Sequence, residues 1–288
     1  MNKLLCFADA YKQSHHKFYP PNTEYIYSYL EARGGKDNEY KDVVFFGLEY
    51  LLRKYFTGQF VTIEDVIEAK EYFRKFFDRD DVFNYDGWMY IAEHHNGRLP
   101  IIIKAPKEGS VIPIRNILMS VENTDPKCAW LTNWVETELL HLWYSCTVAT
   151  ISRECKKTIL QWLIHNGTPE SINYKLVDFG QRGVSSLESA GIGGAAHLVN
   201  FNTTDTLAGV DMIRHYYDSE SIIGCSIPAT EHSTIISWGT DKERAAYENV
   251  LDKYPNGLVA CVSDSYDILN ACENIWGDEL KNKILIEL

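Results

Sequence analysis

Tyr174-Lys175-Leu176-Val177-Asp178-Phe179-Gly180-Gln181-Arg182 is an apolar run that stops at a carboxylate, an aromatic ring and a turn-forming glycine before an arginine. The texture returns three times downstream. Ala196-His197-Leu198-Val199 leads into polar residues 200–205, and then Leu207-Ala208-Gly209-Val210-Asp211-Met212-Ile213 reads as helix. Cys225-Ser226-Ile227-Pro228 leads into Glu231-His232. Leu258-Val259-Ala260-Cys261-Val262 leads into Ser263-Asp264-Ser265, with a helix expected through Ile268, Cys272 and Ile275. A short buried strand, a polar turn and a helix, repeated, is the layout of a parallel α/β fold. Its chemistry belongs at the carboxyl ends of the strands. Only four such units are visible, against the roughly eight strands of a closed barrel. The expectation is an α/β fold: an incomplete (β/α) barrel-like domain over 146–288, preceded by an α+β region over 1–145. Ile284-Leu285-Ile286-Glu287-Leu288 reads as the start of another strand.

Upstream the elements are mixed. Tyr25-Ile26-Tyr27-Ser28-Tyr29-Leu30 alternates like a strand. Thr62-x-x-Asp65 resembles a helix start, and Val66, Ala69, Phe73, Phe76 and Phe77 form a helical stripe behind it. Leu99-Pro100-Ile101-Ile102-Ile103 and Gly109-Ser110-Val111-Ile112-Pro113 read as short strands limited by proline. Residues 130–165 read as two helices meeting near 145–150. The small residues Ala190, Gly191, Gly193 and Gly194 suit a helix that approaches a neighbour or a ligand closely.

The chain has 288 residues, of which 45% are hydrophobic and 13% aromatic, enough for a sizeable core and against intrinsic disorder. Its formal charge of −12 argues against a general nucleic-acid surface or an anionic-membrane surface. It permits an anionic small substrate, provided positive charge gathers in one pocket. The seven cysteines are odd in number, scattered and without a C-x-x-C pair, so a disulfide framework or zinc ribbon is not expected and most read as core fillers. The apolar run Leu4-Leu5-Cys6-Phe7-Ala8 is too short for a signal peptide, and no stretch has the ~18 apolar residues of a membrane span. A cytoplasmic location is the expectation.

Each candidate for chemistry has a plainer alternative. His232 follows an apolar run, where a histidine can act as acid, base, nucleophile or phosphate ligand; the alternative is a helix-start histidine bonded to a carboxylate. Arg182 beside a glycine turn suits a diphosphate; the alternative is an ion pair with Asp178 or Glu188. Asp205 and Asp264 suit an amide, a ribose hydroxyl or Mg²⁺; the alternative for each is a helix cap. Phe179 and Tyr11 can stack a planar ring or simply fill the core. Asp178-Phe179-Gly180 lacks the companion loops of a kinase. Gly191-x-Gly193-x-x-Ala196 lacks the strand placement of a dinucleotide fingerprint. His15-His16 and His94-His95 are adjacent pairs that suit solvated loops better than one metal face.

Taken together, these stretches closely resemble the nicotinamide phosphoribosyltransferase family. The resemblance is carried by Asp9-Ala10-Tyr11-Lys12 with Tyr19-Pro20-Pro21-Asn22-Thr23, Phe46-Gly47-Leu48, Val121-Glu122-Asn123-Thr124-Asp125-Pro126 and Trp130-Leu131-Thr132-Asn133-Trp134. It continues through Asp178-Phe179-Gly180-Gln181-Arg182-Gly183-Val184-Ser185-Ser186, Gly191-Ile192-Gly193, Thr204-Asp205-Thr206, Glu231-His232-Ser233-Thr234 and Ser263-Asp264-Ser265-Tyr266-Asp267. It implies a type II phosphoribosyltransferase fold and a head-to-tail homodimer with shared active sites. The implied reaction joins nicotinamide to phosphoribosyl diphosphate, giving nicotinamide mononucleotide and diphosphate on the salvage route to NAD. It implies that ATP phosphorylates His232, that Phe179 and the partner's copy of Tyr11 sandwich the ring, and that Arg182 lies near nicotinamide and diphosphate. It further implies that Asp205 takes the carboxamide N–H, that Arg33 reaches a phosphate in the partner's site, and that Asp264 serves the ribose and Mg²⁺. An ionised Asp205 accepts from an amide but repels the carboxylate of nicotinate.

Two departures stand out. Val177 occupies a position where some members carry His. The R-P-D-S-G stretch and the later glycine-rich loops of full-length members do not occur. The resulting expectation is a truncated chain, or one completed by a separate C-terminal polypeptide, that exposes a sheet edge and turns over little alone. The alternatives are a nicotinate phosphoribosyltransferase-like enzyme and a non-catalytic dimerising fragment.

Overall fold

The computed structural model describes residues 1–34, 40–221 and 223–286. The chain divides into two compact units, Met1–Gly224 and Cys225–Leu288. The division expected at 145/146 falls inside a continuous helix of the first unit.

In the first unit, strands β1 (Tyr27–Glu31), β5 (Ile117–Asn123) and β3 (Ile101–Lys104) form an antiparallel sheet in that order. Strands β2 (Asp42–Val44) and β4 (Val111–Pro113) form a separate antiparallel pair. Tyr27 lies opposite Glu122, and Ile101 opposite Asn123. The sequence-expected strands at 25–30, 99–103 and 109–113 are thus present, each shifted by no more than two residues.

Helices follow in chain order: α1 (Leu48–Leu51), α2 (Ile63–Phe76), α3 (Tyr85–His94), α4 (Leu131–Trp134), α5 (Glu136–Leu139), α6 (Leu142–Asn166), α7 (Leu187–His197) and α8 (Leu207–Tyr216). Helix α2 starts in a reciprocal capping box between Thr62 and Asp65 and buries Val66, Ala69 and Phe73, while Phe76 stays exposed. The unit's core gathers Phe45, Phe60, Trp88, Leu131, Trp134 and Leu142 with α7 and α8 residues. Trp88 meets Trp134 edge to face at 4.7 Å.

The expected break near 145–150 does not exist; α6 runs through it. Ser145 and Thr150 are buried, and their hydroxyls donate to the carbonyls of Leu142 (3.1 Å) and Cys146 (2.6 Å), so these residues ride within the helix rather than ending it. The strand expected at 196–199 is also corrected. Ala196 and His197 end α7. A short apolar run does not itself distinguish strand from buried helix, and the small residues before it favour helix. Among the described residues parallel pairing reduces to two single bridges, Asp178 with Thr204 and Ala229 with Ala260.

Helices α7 and α8 cross at glycine. A Cβ on Gly209 would stand 2.6 Å from the Gly194 carbonyl carbon, so backbone meets backbone there.

The second unit contains α9 (His232–Ile236), α10 (Glu243–Lys253), α11 (Ile268–Asn270), a π-helical stretch Ala271–Glu279 and α12 (Lys281–Ile286). Its core is Ile235, Ala246, Tyr247, Ala271, Ile275 and Leu280. Trp276 stacks on Tyr247 with centroids 4.7 Å apart. The strand expected from Ile284 is instead the end of α12; residues 287 and 288 lie outside the described residues. No disulfide joins the seven cysteines, all of them described residues, but only Cys128 and Cys146 are buried, while Cys6, Cys225 and Cys272 are exposed. The expectation that most fill the core is corrected accordingly. No described helix is long and apolar enough to cross a membrane.

Candidate functional site

In the first unit two backbone segments run side by side. The amide of Asp205 donates to the Asp178 carbonyl at 2.9 Å, next to the 178–204 bridge. The Thr203 hydroxyl donates to the Leu176 carbonyl at 2.7 Å, and the Thr206 amide to the Thr204 hydroxyl at 3.0 Å. Asp178 closes a turn on itself: its Oδ1 accepts the Gly180 amide at 2.8 Å. Residues Gly180–Gly183 then form a 3-10 turn that carries Arg182. Phe179, 63% exposed, and Asp205 therefore leave adjacent, hydrogen-bonded segments, with Arg182 three residues beyond the ring.

At Asp205 and Arg182 the plainer alternatives fail, whereas His232 does start α9 and bonds a carboxylate, Asp264. Helix α8 is preceded by Thr206 at its cap, with no side-chain cap bond, so Asp205 does not cap it. Arg182 is exposed and forms no ion pair among the described residues. Glu188 instead binds Lys54 at 2.7 Å and accepts the hydroxyls of Tyr55 (2.7 Å) and Tyr50. Burial pushes the Glu188 carboxyl up, but these donors outweigh it and hold it below its ordinary value. Tyr50, Tyr55 and Glu188 line a cavity of about 610 Å³ with Ser185, Ser186 and Trp143. Sequence reading gave it no role, because Tyr50 and Tyr55 lie more than 130 positions from Glu188.

The second unit builds its own pair. The Ala229–Ala260 bridge and the bond from the Val262 amide to the Thr230 hydroxyl (2.8 Å) align the segments that end in Glu231 and Asp264. His232 Nε2 lies 3.1 Å from Asp264 Oδ1, with the side chains 62% and 64% exposed. The Trp276 indole donates to Ser263 Oγ at 2.9 Å, bracing the segment that presents Asp264. The cap ahead of α11 is Asp267, which accepts from Leu269 and Asn270, so Asp264 is not a cap either.

Tyr11 and Arg33 lie elsewhere in the first unit. Tyr11 sits on the 3-10 segment Ala10–Lys17, 60% exposed, edge-on to His15 at 4.8 Å. That segment is pinned by the buried Lys12, whose ammonium donates to the Asn133 carbonyl at 2.9 Å and pairs with Glu136. Arg33 is exposed on the walls of cavities of about 540 and 320 Å³.

His95, expected in a solvated loop, is half-buried at the end of α3. It lies 2.8 Å from Asp125, whose same oxygen accepts the Tyr90 hydroxyl at 2.9 Å. Ligand atoms of His95, Asp125 and Cys128 lie within 4.8 Å of one another. Asp125 Oδ1 accepts the Lys127 amide. Burial, aided by Asp125, pushes the Cys128 thiol up to about 12, so it stays protonated. The cluster thus serves as the cap of the turn Pro126–Cys128.

Residues 3–103 match the family model for the nicotinamide phosphoribosyltransferase N-terminal domain, and residues 174–287 match the nicotinate phosphoribosyltransferase (NAPRTase) family model. The chain is 44% identical to a nicotinamide phosphoribosyltransferase of Xanthomonas campestris pv. campestris, over 99% of this chain and 60% of that protein. It is 33% identical to one of Acinetobacter baylyi, over 96% of this chain and 57% of that protein. The chain thus spans about three-fifths of the curated relatives it matches. A solved human Nicotinic Acid Phosphoribosyltransferase overlaps 80% of this chain and 40% of its own, at 16% identity and TM-score 0.49, too slight to bear on the fold.

Proposed function

We infer that the chain belongs to the nicotinamide phosphoribosyltransferase family, which its relatives and its N-terminal family match support, and that it has a role in transferring phosphoribosyl from phosphoribosyl diphosphate to nicotinamide. The products are nicotinamide mononucleotide and diphosphate, in NAD salvage. The observation that carries this reading is the pairing of Phe179 and Asp205 on bonded segments, with the unpaired Arg182 just beyond. A flat ring with one polar arm needs an aromatic face and an acceptor at its edge, and Phe179 and Asp205 supply both. The Arg182 guanidinium suits the charge that gathers on a leaving diphosphate.

His232 and Asp264 form the second part of the proposal. With Nε2–H donating to Asp264, the ring's Nδ1 is left as its nucleophilic nitrogen, suited to accept a phosphoryl group from ATP. Asp264 spends one oxygen on His232 and has a second, a hard donor of the kind Mg²⁺ takes. When bound, Mg²⁺ would neutralise phosphate charge. The homodimer belongs to the proposal as well: among the described residues Tyr11 meets the ring of His15 and not that of Phe179, and its exposed position on Ala10–Lys17 suits a ring lent to a partner's site.

Calorimetric titration of the chain with nicotinamide and with nicotinate tests the reading. Nicotinamide is expected to bind at least about tenfold more tightly, the worth of one charged hydrogen bond. Tighter binding of nicotinate would move the assignment to that acid; binding of neither would remove it.

A further inference from the structure

One buried side chain ties together the two segments that carry the ring-binding pair. His197, at the end of α7, is 5% exposed. Its Nε2 lies 3.2 Å from the Leu176 carbonyl and 3.2 Å from the Thr203 carbonyl. Both partners are acceptors only, so Nε2 carries the proton and shares it between them. Nδ1 is then the acceptor, and the Ser152 hydroxyl from α6 stands 3.1 Å away to donate to it. The imidazole also lies flat on Phe201, with centroids 5.1 Å apart and planes within 10°. Leu176 is two residues before Asp178, and Thr203 two before Asp205. A single N–H thus sets the separation of the segments just before each delivers its functional side chain.

We propose that His197 is a positioning residue for nicotinamide: through Leu176 and Thr203 it fixes the spacing between Phe179 and Asp205, and Ser152 fixes the tautomer that makes this possible. The inference rests on the function proposed above. The contact is specific to these two carbonyls. Thr203 itself adds a bond to Leu176, so the join survives partial loss of the histidine but loses its second tie. Burial also favours the neutral ring, the state this arrangement requires.

The test uses the full chain and nicotinamide itself. His197→Phe keeps a flat ring on Phe201 but removes the shared donor. His197→Gln restores an amide NH₂ able to reach both carbonyls and an oxygen able to accept from Ser152. Ser152→Ala leaves the histidine but frees its tautomer. Dissociation constants are measured by calorimetry well below each variant's unfolding transition, beside a ¹⁵N correlation spectrum of the His197 ring. The expected result is a loss of at least about tenfold in nicotinamide affinity for His197→Phe, in line with small displacements of positioned groups, with most of it recovered in His197→Gln. Ser152→Ala is expected to weaken binding and to mix the tautomers in the spectrum. Should His197→Phe not fold, Ser152→Ala and His197→Gln carry the test. Wild-type affinity in every folded variant, or a wild-type spectrum without the Nε2–H tautomer, overturns the inference alone. A wild-type chain that binds no nicotinamide overturns the proposed function and this inference with it.

Discussion

Asp205 stands one residue before Thr206, the cap position of α8. Asp264 likewise stands three residues before the true cap at Asp267. Replacing Asp205 by Asn keeps an acceptor oxygen but removes the charge. Nicotinamide binding is expected to weaken by about tenfold, ~1.4 kcal/mol, while discrimination against nicotinate collapses. Paired titrations with both ligands read this, and preserved discrimination would remove Asp205 from the ring site. These candidate residues were legible in sequence because each lies in a polar stretch that follows an apolar run. His197 was not: it sat inside a run read as strand, and its partners come from three separate stretches. Its titration is also a matter of stability. Burial lowers the pKa of His197, with Asp178 opposing, and lowers that of His16 as well. Above about pH 6.5 both rings are neutral whether the chain is folded or unfolded. Below it the unfolded chain takes up protons first, so stability falls as pH drops through the lowered folded values. The thermal midpoint is expected to decline from about pH 6.5 downward, and less steeply in His197→Gln. Identical slopes for the two proteins would contradict this.

Among the elements, α7 and α8 cross with backbone against backbone at Gly194 and Gly209. In a free-standing helix Gly→Ala gains about 0.5–1 kcal/mol. Here the added methyl would meet backbone at 2.6 Å, which no side-chain rotation can relieve. Overpacking of about 1–3 kcal/mol outweighs the helical gain. Gly209→Ala is therefore expected to lower the urea midpoint at unchanged slope, and a stabilised variant would show that the helices separate freely. The stripe of small residues announced this closeness in the sequence, and the Thr62 and Asp65 pair announced the start of α2. The course of α6 was hidden, because Ser145 and Thr150 look like helix breakers until their hydroxyls are seen bonding within and beside the helix.

At the scale of the molecule, the boundary between units follows core packing, and composition gives little sign of it. Helix α6 packs on both β2 and α7, binding residues on either side of 145 into one unit. Among the described residues, the second unit gathers six buried apolar residues into its core cluster, a modest core for a segment of its size. Hydrogen exchange is expected to expose α10 amides before those of α6 and α7. Simultaneous exchange in both units would indicate a single cooperative block. The repeated apolar-run rhythm conveyed an α/β chain whose functional groups sit at segment ends. It did not convey that the parallel segments meet through single bridges, since periodicity reports burial and not ladder length.

The exposed thiols are apportioned usefully: Cys6 lies in the first unit and Cys272 in the second, while Cys128 and Cys146 are sealed in the core. With Cys225 changed to serine, maleimide dyes on that pair would make the chain its own molecular ruler. Energy transfer between them would then follow, in real time, any change of separation that a bound nucleotide imposes.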